Sequence, residues 1–352
     1  MLGYILFAIL IFGVLIFVHE LGHFLMAKRM GVQVNEFAIC MGPAIWKRTW
    51  GETTYSLRCI PLGGYCAMEG EDEESGNPRA FTAAKTWKRF LILISGSAMN
   101  FIAGLLILIL LFSTAAGFVT PRISGFMEGS TISEETGLQE GDEFYRIDGK
   151  RVYVHSDISM LLSRNQTGNY DLEVIRDGRV VDLGKVPIVP RAFEENGQTV
   201  MRYGLSFAVE NNSVAVTLRN SWYTAVDFSR MVWMSLGDLI NGAVGIKDMS
   251  GPVGIVSVMA ETGASSATVK DGVMNLAYFA AFLAVNLAMM NMLPIPALDG
   301  GRAFFLLISW CFWKITGKKL NPKYEGYIHA AGMILLLAFI AFITLKDIRN
   351  LF

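Results

Sequence analysis

The chain has little charge, few cysteines and only four histidines, and each shortage removes a class of protein from consideration. Charged residues make up 17% of the 352 positions against 53% hydrophobic ones, too apolar for an ordinary soluble enzyme yet too charged for a bundle lying wholly in lipid. Membrane helices joined to a water-exposed part are therefore expected. The formal net charge is −1, with no basic tail or aromatic-basic stripe, which excludes nucleic acid as the expected partner and leaves the lipid bilayer and peptides. Cys40, Cys59, Cys66 and Cys311 are irregularly spaced, which argues against a disulfide framework or a zinc ribbon and reads as small buried hydrophobes. The N-terminal apolar run lacks a basic start and a small-residue cleavage site, so it is expected to stay as a helix rather than leave as a signal peptide.

What is there, first, is four apolar runs long enough to span a bilayer, uncharged apart from Glu20 in the first: Met1 to about Ala27, Phe90–Thr120, about Gly272–Ala297 and Gly326–Leu345. Basic residues orient them. Lys28, Arg29, Lys47, Arg48, Lys85, Lys88 and Arg89 cluster between the first two runs, and Arg302, Lys314, Lys318, Lys319 and Lys323 between the last two, so both connections are expected on the cytoplasmic side. The long segment after the second run then lies outside, with Lys346 and Arg349 as a minor counter-signal. Phe304–Trp313 is apolar but too short to span.

The first run ends in His19-Glu20-Leu21-Gly22-His23. Histidines four apart on a helix share a face, both imidazoles reach one metal, and Glu20 stands beside them as a base. The pattern alone recurs by chance; inside a membrane helix, where ionisable groups are costly, it points to function rather than to a buried polar knot. His19 lies roughly 25 Å along the helix, near the cytoplasmic face of a core about 30 Å thick. A catalytic metal site needs a third protein ligand, and Asp299 is the best candidate. It follows Pro294 and Pro296 at the cytoplasmic end of the third run, at the depth of His19 and His23, where a proline-broken helix is tolerated if it lines a wet cavity. The other two histidines, His155 and His329, read as structural.

These motifs, with Asn291-Met-Leu-Pro294 ahead of Asp299-Gly300 and Ser250-Gly251-Pro252-Val253-Gly254-Ile255 between them, resemble the site-2 proteases, the intramembrane zinc metalloproteases, and most of all the bacterial regulator-of-sigma-E protease type. The resemblance covers nearly the whole chain in order. It implies a Zn2+ cofactor held by His19, His23 and Asp299, Glu20 as general base, and Asn291 as a group that binds and polarises the substrate backbone. Thr54–Ile60 and Pro61–Met68 read as two short strands around a Pro-Gly turn; the resemblance makes them a re-entrant sheet in which Gly63, Gly64 and Tyr65 meet an unwound substrate as an added strand. The implied activity is endoproteolysis of single-span membrane proteins, of the anti-sigma-factor or remnant-signal-peptide type, after a first external cut, in a bacterial inner membrane. Glu71 to Glu74 read as a solvated acidic turn.

Beyond the second run, Gly137-Leu138, Gly141-Asp142, Asp148-Gly149 and Asp177-Gly178 punctuate short strand-like segments with a helix at Ser156–Leu162. This segment resembles one PDZ domain, which would bind peptide ends or filter substrates by their outer domains. Residues from Arg191 to about Val216 extend it as strands, and Ser221–Met249 reads as an interfacial amphipathic helix. The fold class expected is thus a multi-pass α-helical membrane protein of about four transmembrane helices with a short re-entrant β-sheet and one extracytoplasmic PDZ-like α+β domain. Its divisions are 1–117, an N-terminal membrane part; 118–190, the PDZ-like domain; 191–250, linker strands and interfacial helix; and 251–352, the C-terminal membrane part. A membrane-anchored protease acting on soluble chains and a silent PDZ scaffold are the alternatives.

Overall fold

The computed structural model describes residues 2–71, 75–165, 167–195, 198–245, 249–318 and 322–351, so the expected acidic turn falls mostly outside the described residues. The elements run α1 (Leu2–Met30), β1 (Val34–Trp50), β2 (Thr53–Met68), α2 (Thr86–Phe112), β3 (Gly117–Phe126), α3 (Ile132–Thr136), β4 (Glu143–Ile147), β5 (Lys150–Arg151), α4 (His155–Arg164), β6 (Asn169–Arg176), β7 (Arg179–Pro187), β8 (Arg191–Glu195), β9 (Gln198–Arg202), β10 (Leu205–Asn211), α5 (Val214–Ile240), α6 (Pro252–Ala264), α7 (Val269–Asn291), α8 (Asp299–Thr316) and α9 (Pro322–Leu351). They form two units, Met1–Leu108 with Phe228–Phe352, and Ile109–Asp227.

Four helices are long and apolar enough to cross a bilayer: Leu2–Met30, Thr86–Phe112, Val269–Asn291 and Glu325–Arg349. The protein is therefore a multi-pass membrane protein, as expected, although two spans are shorter than the apolar runs that announce them. The second stops at Phe112, and Gly117–Thr120 belongs to β3; the third stops at Asn291 because Pro294 and Pro296 cannot continue a helix. α1 is apolar all round, yet its buried residues Ala8, Ile11, Leu15, His19, Gly22, His23 and Ala27 follow one helical stripe, so one face packs on protein and the rest is left for lipid. α2 buries small residues, Ser95, Gly96, Ser97, Asn100 and Gly104. A Cβ at Gly104 would stand 3.0 Å from the Ala281 carbonyl oxygen, the close helix approach that small residues permit in membranes. The Ser250–Ile255 motif caps α6: the Asp347 carboxylate accepts from the amides of Gly251 and Gly254, each at 2.8 Å, satisfying helix-end donors that lipid could not.

The β1–β2 pair is longer and more folded than the sequence suggests. Instead of two strands around Pro61, β2 runs through it and pairs with β1, a strand the sequence reading lacks. Phe37 pairs with both Cys66 and Tyr55, and Tyr55 pairs again with Arg48. The hairpin is thus doubled back into four lanes, in the order 44–50, 53–58, 34–39, 64–68. Pro61 and Gly63 lie where pairing lapses between Ile60 and Gly64, the one place a strand tolerates a missing donor. Lane 64–68 is an outer edge among the described residues.

The second unit holds a sheet in the order β10-β3-β4-β6-β7, with β5 beside β4. Tyr170, Leu172 and Val174 on β6 are buried with intervening residues out, the two-residue alternation of a half-buried strand. Asp148-Gly149 and Asp177-Gly178 have positive φ at both positions and join β4 to β5 and β6 to β7, as the Asp-Gly hairpin signal predicts. β10, beyond residue 190, pairs with β3. The helix expected at Ser221–Met249 instead occupies Val214–Ile240.

Candidate metal centre

His19 and His23 project from α1 because their four-residue spacing puts both on its buried stripe. Asp299 opens α8, on the far side of a turn from α7. The three side chains meet: His19 Nε2 to His23 Nε2 is 3.2 Å, His19 Nε2 to Asp299 Oδ2 3.0 Å, and His23 Nε2 to Asp299 Oδ2 3.1 Å. They are the group of potential metal ligands found among the described residues.

This triangle fits a metal better than it fits a hydrogen-bond network. His23 Nδ1 lies 2.8 Å from the Ile92 carbonyl oxygen; a carbonyl only accepts, so Nδ1 carries a proton, and in the neutral ring the Nε2 lone pair is turned inward. There it converges with a second imidazole nitrogen and a carboxylate oxygen, three atoms of the types that coordinate zinc. Three corners of a tetrahedron drawn about 2.0–2.1 Å from its centre lie about 3.3 Å apart, close to the edges observed. The Ile92 carbonyl is the outer partner that ligating histidines usually have.

Space for the group is kept by glycines. A Cβ at Gly96 would fall 2.4 Å from His23 Nε2 and 2.8 Å from His19 Cε1, and one at Gly22 2.4 Å from the Ser95 carbonyl oxygen. Any larger residue would fill the site or push α1 off α2. The Asp299-Gly300-Gly301 run works likewise: Cβ atoms would sit 2.3 Å from the Met292 carbonyl carbon at Gly300 and 2.2 Å from the Ile295 oxygen at Gly301. α8 therefore begins pressed against the turn that precedes it, which aims Asp299 back at α1.

Glu20 lies within electrostatic reach of both imidazoles, Asp299 and Glu71. Gly64 on the outer β2 lane passes beside it, with a Cβ there 3.4 Å from Glu20 Cγ. The other expected site residues are placed differently. Gly63 packs on Met41. Tyr65 takes a short hydrogen bond from Arg58, whose Nη2 also donates to Glu36 Oε1 at 2.8 Å, so its hydroxyl serves the sheet. Asn291 ends α7, and its side chain makes no hydrogen bond to the triad among the described residues. A cavity of 570 Å³ adjoins the centre, lined by Asp299, Glu71, Arg89, Arg302, Glu325 and His329 among others, with an ion pair between Arg302 and Glu71. The sequence reading missed Gly22, Gly96 and the Ile92 carbonyl; the run of small residues Ser95-Gly96-Ser97 in an apolar helix is the signal that could have found two of them.

Two histidines on a bilayer-length helix that converge with a carboxylate from α8, with a second carboxylate, Glu20, beside them, define a membrane metalloprotease. The peptidase family M50 model matches residues 7–339, and the chain belongs to that family, the site-2 protease type. A candidate zinc metalloprotease of Clostridium perfringens is 35% identical over 347 residues, covering 98% of each chain. The regulator of sigma-W protease RasP of Bacillus subtilis is 28% identical over 425 aligned positions, again covering 98% of each. The zinc metalloprotease RasP of Bacillus licheniformis is similar at 28% with the same coverage. The protein is a zinc metalloprotease.

Proposed function

We propose that the protein cuts transmembrane segments of single-span membrane proteins, with zinc held by His19, His23 and Asp299 and with Glu20 as general base. The observation that carries this reading is the triangle that His19 and His23 of the bilayer-length helix α1 make with Asp299 of α8, with Glu20 next to it. Bound there, zinc would supply Lewis-acid polarisation of the peptide carbonyl and would lower the pKa of the attacking water. Glu20 is placed to accept a proton from the attacking nucleophile and to deliver it to the leaving amine, a role typically worth about 10²–10⁴-fold in rate. Asn291 stabilises the developing oxyanion once substrate draws the end of α7 into place.

A helical span has no free backbone to attack, so the substrate is unwound. The outer lane 64–68 has the properties of a re-entrant docking edge: it is unpaired on one side among the described residues, and its Gly64 lies against Glu20. An extended segment added there by main-chain hydrogen bonds runs past the base, with Gly63, Gly64 and Tyr65 as its platform. The active site opens to the cytoplasm, where the basic connections lie. Residues 118–190 form a single PDZ-like domain on the opposite side, binding peptide ends or excluding bulky ectodomains, so that a first external cut licenses the second. Anti-sigma factors and remnant signal peptides are substrates of this form; the name of the Bacillus subtilis relative, a regulator of sigma-W protease, agrees with the first.

The test uses purified protein and its Glu20→Gln variant in detergent, with zinc counted per chain and a single-span substrate lacking its outer domain. Zinc in both, and cleavage within the span by the unaltered protein alone, is the expected result. Equal cleavage by the variant removes Glu20 from the mechanism, and cuts only outside the span overturn the intramembrane reading.

A further inference from the structure

The turn that delivers Asp299 is held in a backbone state its sequence does not favour. Ala297 has φ +82°, a left-handed conformation that a residue with a Cβ rarely adopts and that persists only where its surroundings enforce it. The enforcing contact comes from the last span. The Ala297 amide donates to Nδ1 of His329 at 3.1 Å, a partner for an N–H that lies outside any helix or strand and would otherwise be left unpaired. α9 is seated closely enough to do this: a Cβ at Gly332, three residues further along the helix, would stand 2.5 Å from Pro296 Cβ and 2.9 Å from the Pro296 oxygen. From the other side the His329 ring meets Phe305 of α8 edge-on, with centroids 5.3 Å apart at 70°. The imidazole is thus fixed in place, with Nδ1 as acceptor and its proton on Nε2, which is buried and has no hydrogen-bond partner among the described residues.

We infer that His329 is a positioning residue of the metal centre. The acceptor it offers from α9 holds Ala297 left-handed and so sets the direction in which Asp299, two residues later, enters the site. This rests on Asp299 being the third zinc ligand. It makes the last span part of the catalytic machinery, although no metal-ligand motif lies on it, and gives the lone histidine of that span a role beyond packing.

The experiment follows the metal rather than turnover. Full-length protein loaded with zinc in detergent is mixed with excess chelator and the half-time of zinc release recorded; the cobalt-substituted form is examined by visible absorption, and thermal unfolding is measured alongside. His329→Phe keeps a ring against Phe305 and removes the acceptor. It should release zinc about tenfold faster, the lower end of the cost of losing an outer-shell partner, and shift the cobalt bands, with a modest fall in the unfolding midpoint from the Ala297 amide left unpaired. His329→Asn, which restores an acceptor, should release within about twofold of the unaltered protein. Ala297→Gly in the His329→Phe background, which removes the steric objection to a positive φ, should recover most of the loss. Release and cobalt bands unchanged in His329→Phe would overturn the inference, as would an asparagine variant that releases zinc as fast as the phenylalanine one. Should His329→Phe fail to fold, the asparagine variant decides alone, since release as fast as from Asp299→Ala would count against it. Asp299→Ala separates the two levels: release at the unaltered rate would sink the ligand assignment itself, whereas fast release there with normal release in His329→Phe removes only His329.

Discussion

Asp142 and Asp299 are both enclosed carboxylates next to glycine, one in each unit, and their neighbours are opposite in kind. Asp142, with a fully buried side chain, is surrounded by donors: Arg176 gives it Nε and Nη2, each at 2.8 Å, and the Gln139 amide adds a third bond at 2.8 Å. Its charge is spent inside the fold. Asp299 meets two imidazole nitrogens and no guanidinium or backbone amide among the described residues, and its side chain is 21% exposed beside a cavity. Its charge is left over for a cation. The two differ in both burial and partners: fixed donors consume the charge of the one, while the other faces groups that can themselves be ligands.

The comparison breaks most easily at Asp299. Asp299→Ala should abolish zinc retention in dialysis and lower cleavage by more than about a hundredfold. Zinc retained at the unaltered level would remove Asp299 from the ligand set. Gly96→Ala should come next. It adds no charge and removes no ligand, yet its methyl would occupy the space beside His23 Nε2, so zinc affinity should fall about tenfold or more, read by chelator competition. Asp142→Ala is the converse case. It should cost about 3 kcal/mol by leaving the Arg176 guanidinium and the Gln139 amide without their acceptor, seen as faster hydrogen exchange in β4 and β6, with zinc content unaltered.

The contrast also explains what could be read from the chain. His19, Glu20 and His23 are legible because helical periodicity alone places them together, and Asp299 is legible because depth in a bilayer is counted along apolar runs. The Asp-Gly hairpins of the second unit are legible because two residues with positive φ are a local demand. The doubled hairpin is not: lane 34–39 pairs on both sides, with 53–58 and 64–68, and no alternation within Val34–Trp50 encodes two partners. Pro61 reads as a turn between strands and is instead a lapse in one long strand. Gly22 and Gly96 matter only because α1 and α2 touch, and His329 only because α9 reaches Ala297; such approaches are properties of packing between distant segments, invisible to spacing.

Glu52, in the turn between β1 and β2, gives a third carboxylate and the smallest effect, and it tests whether donors alone make an acidic group structural. It accepts from Arg79 Nη1 at 2.6 Å and Nη2 at 2.8 Å and from Lys28 Nζ at 2.6 Å, as richly as Asp142, but in contact with water. The hydrogen bonds from Arg79, then those from Lys28, hold its carboxyl down to about 2, against 4.5 for the free group. A lowered value in the folded state means the stabilisation is complete above about pH 4.5 and disappears as the pH falls towards 2. Solvent screening limits it to about 1 kcal/mol at most. Glu52→Gln should therefore speed hydrogen exchange at the hairpin tip modestly at pH 7, and by progressively less below pH 4.5, until the two proteins coincide near pH 2. A difference as large as that of Asp142→Ala would mean that the donors, and not their removal from water, set the strength of such a site; a difference persisting unchanged at pH 2 would show that the charge on Glu52 has no part in holding the turn.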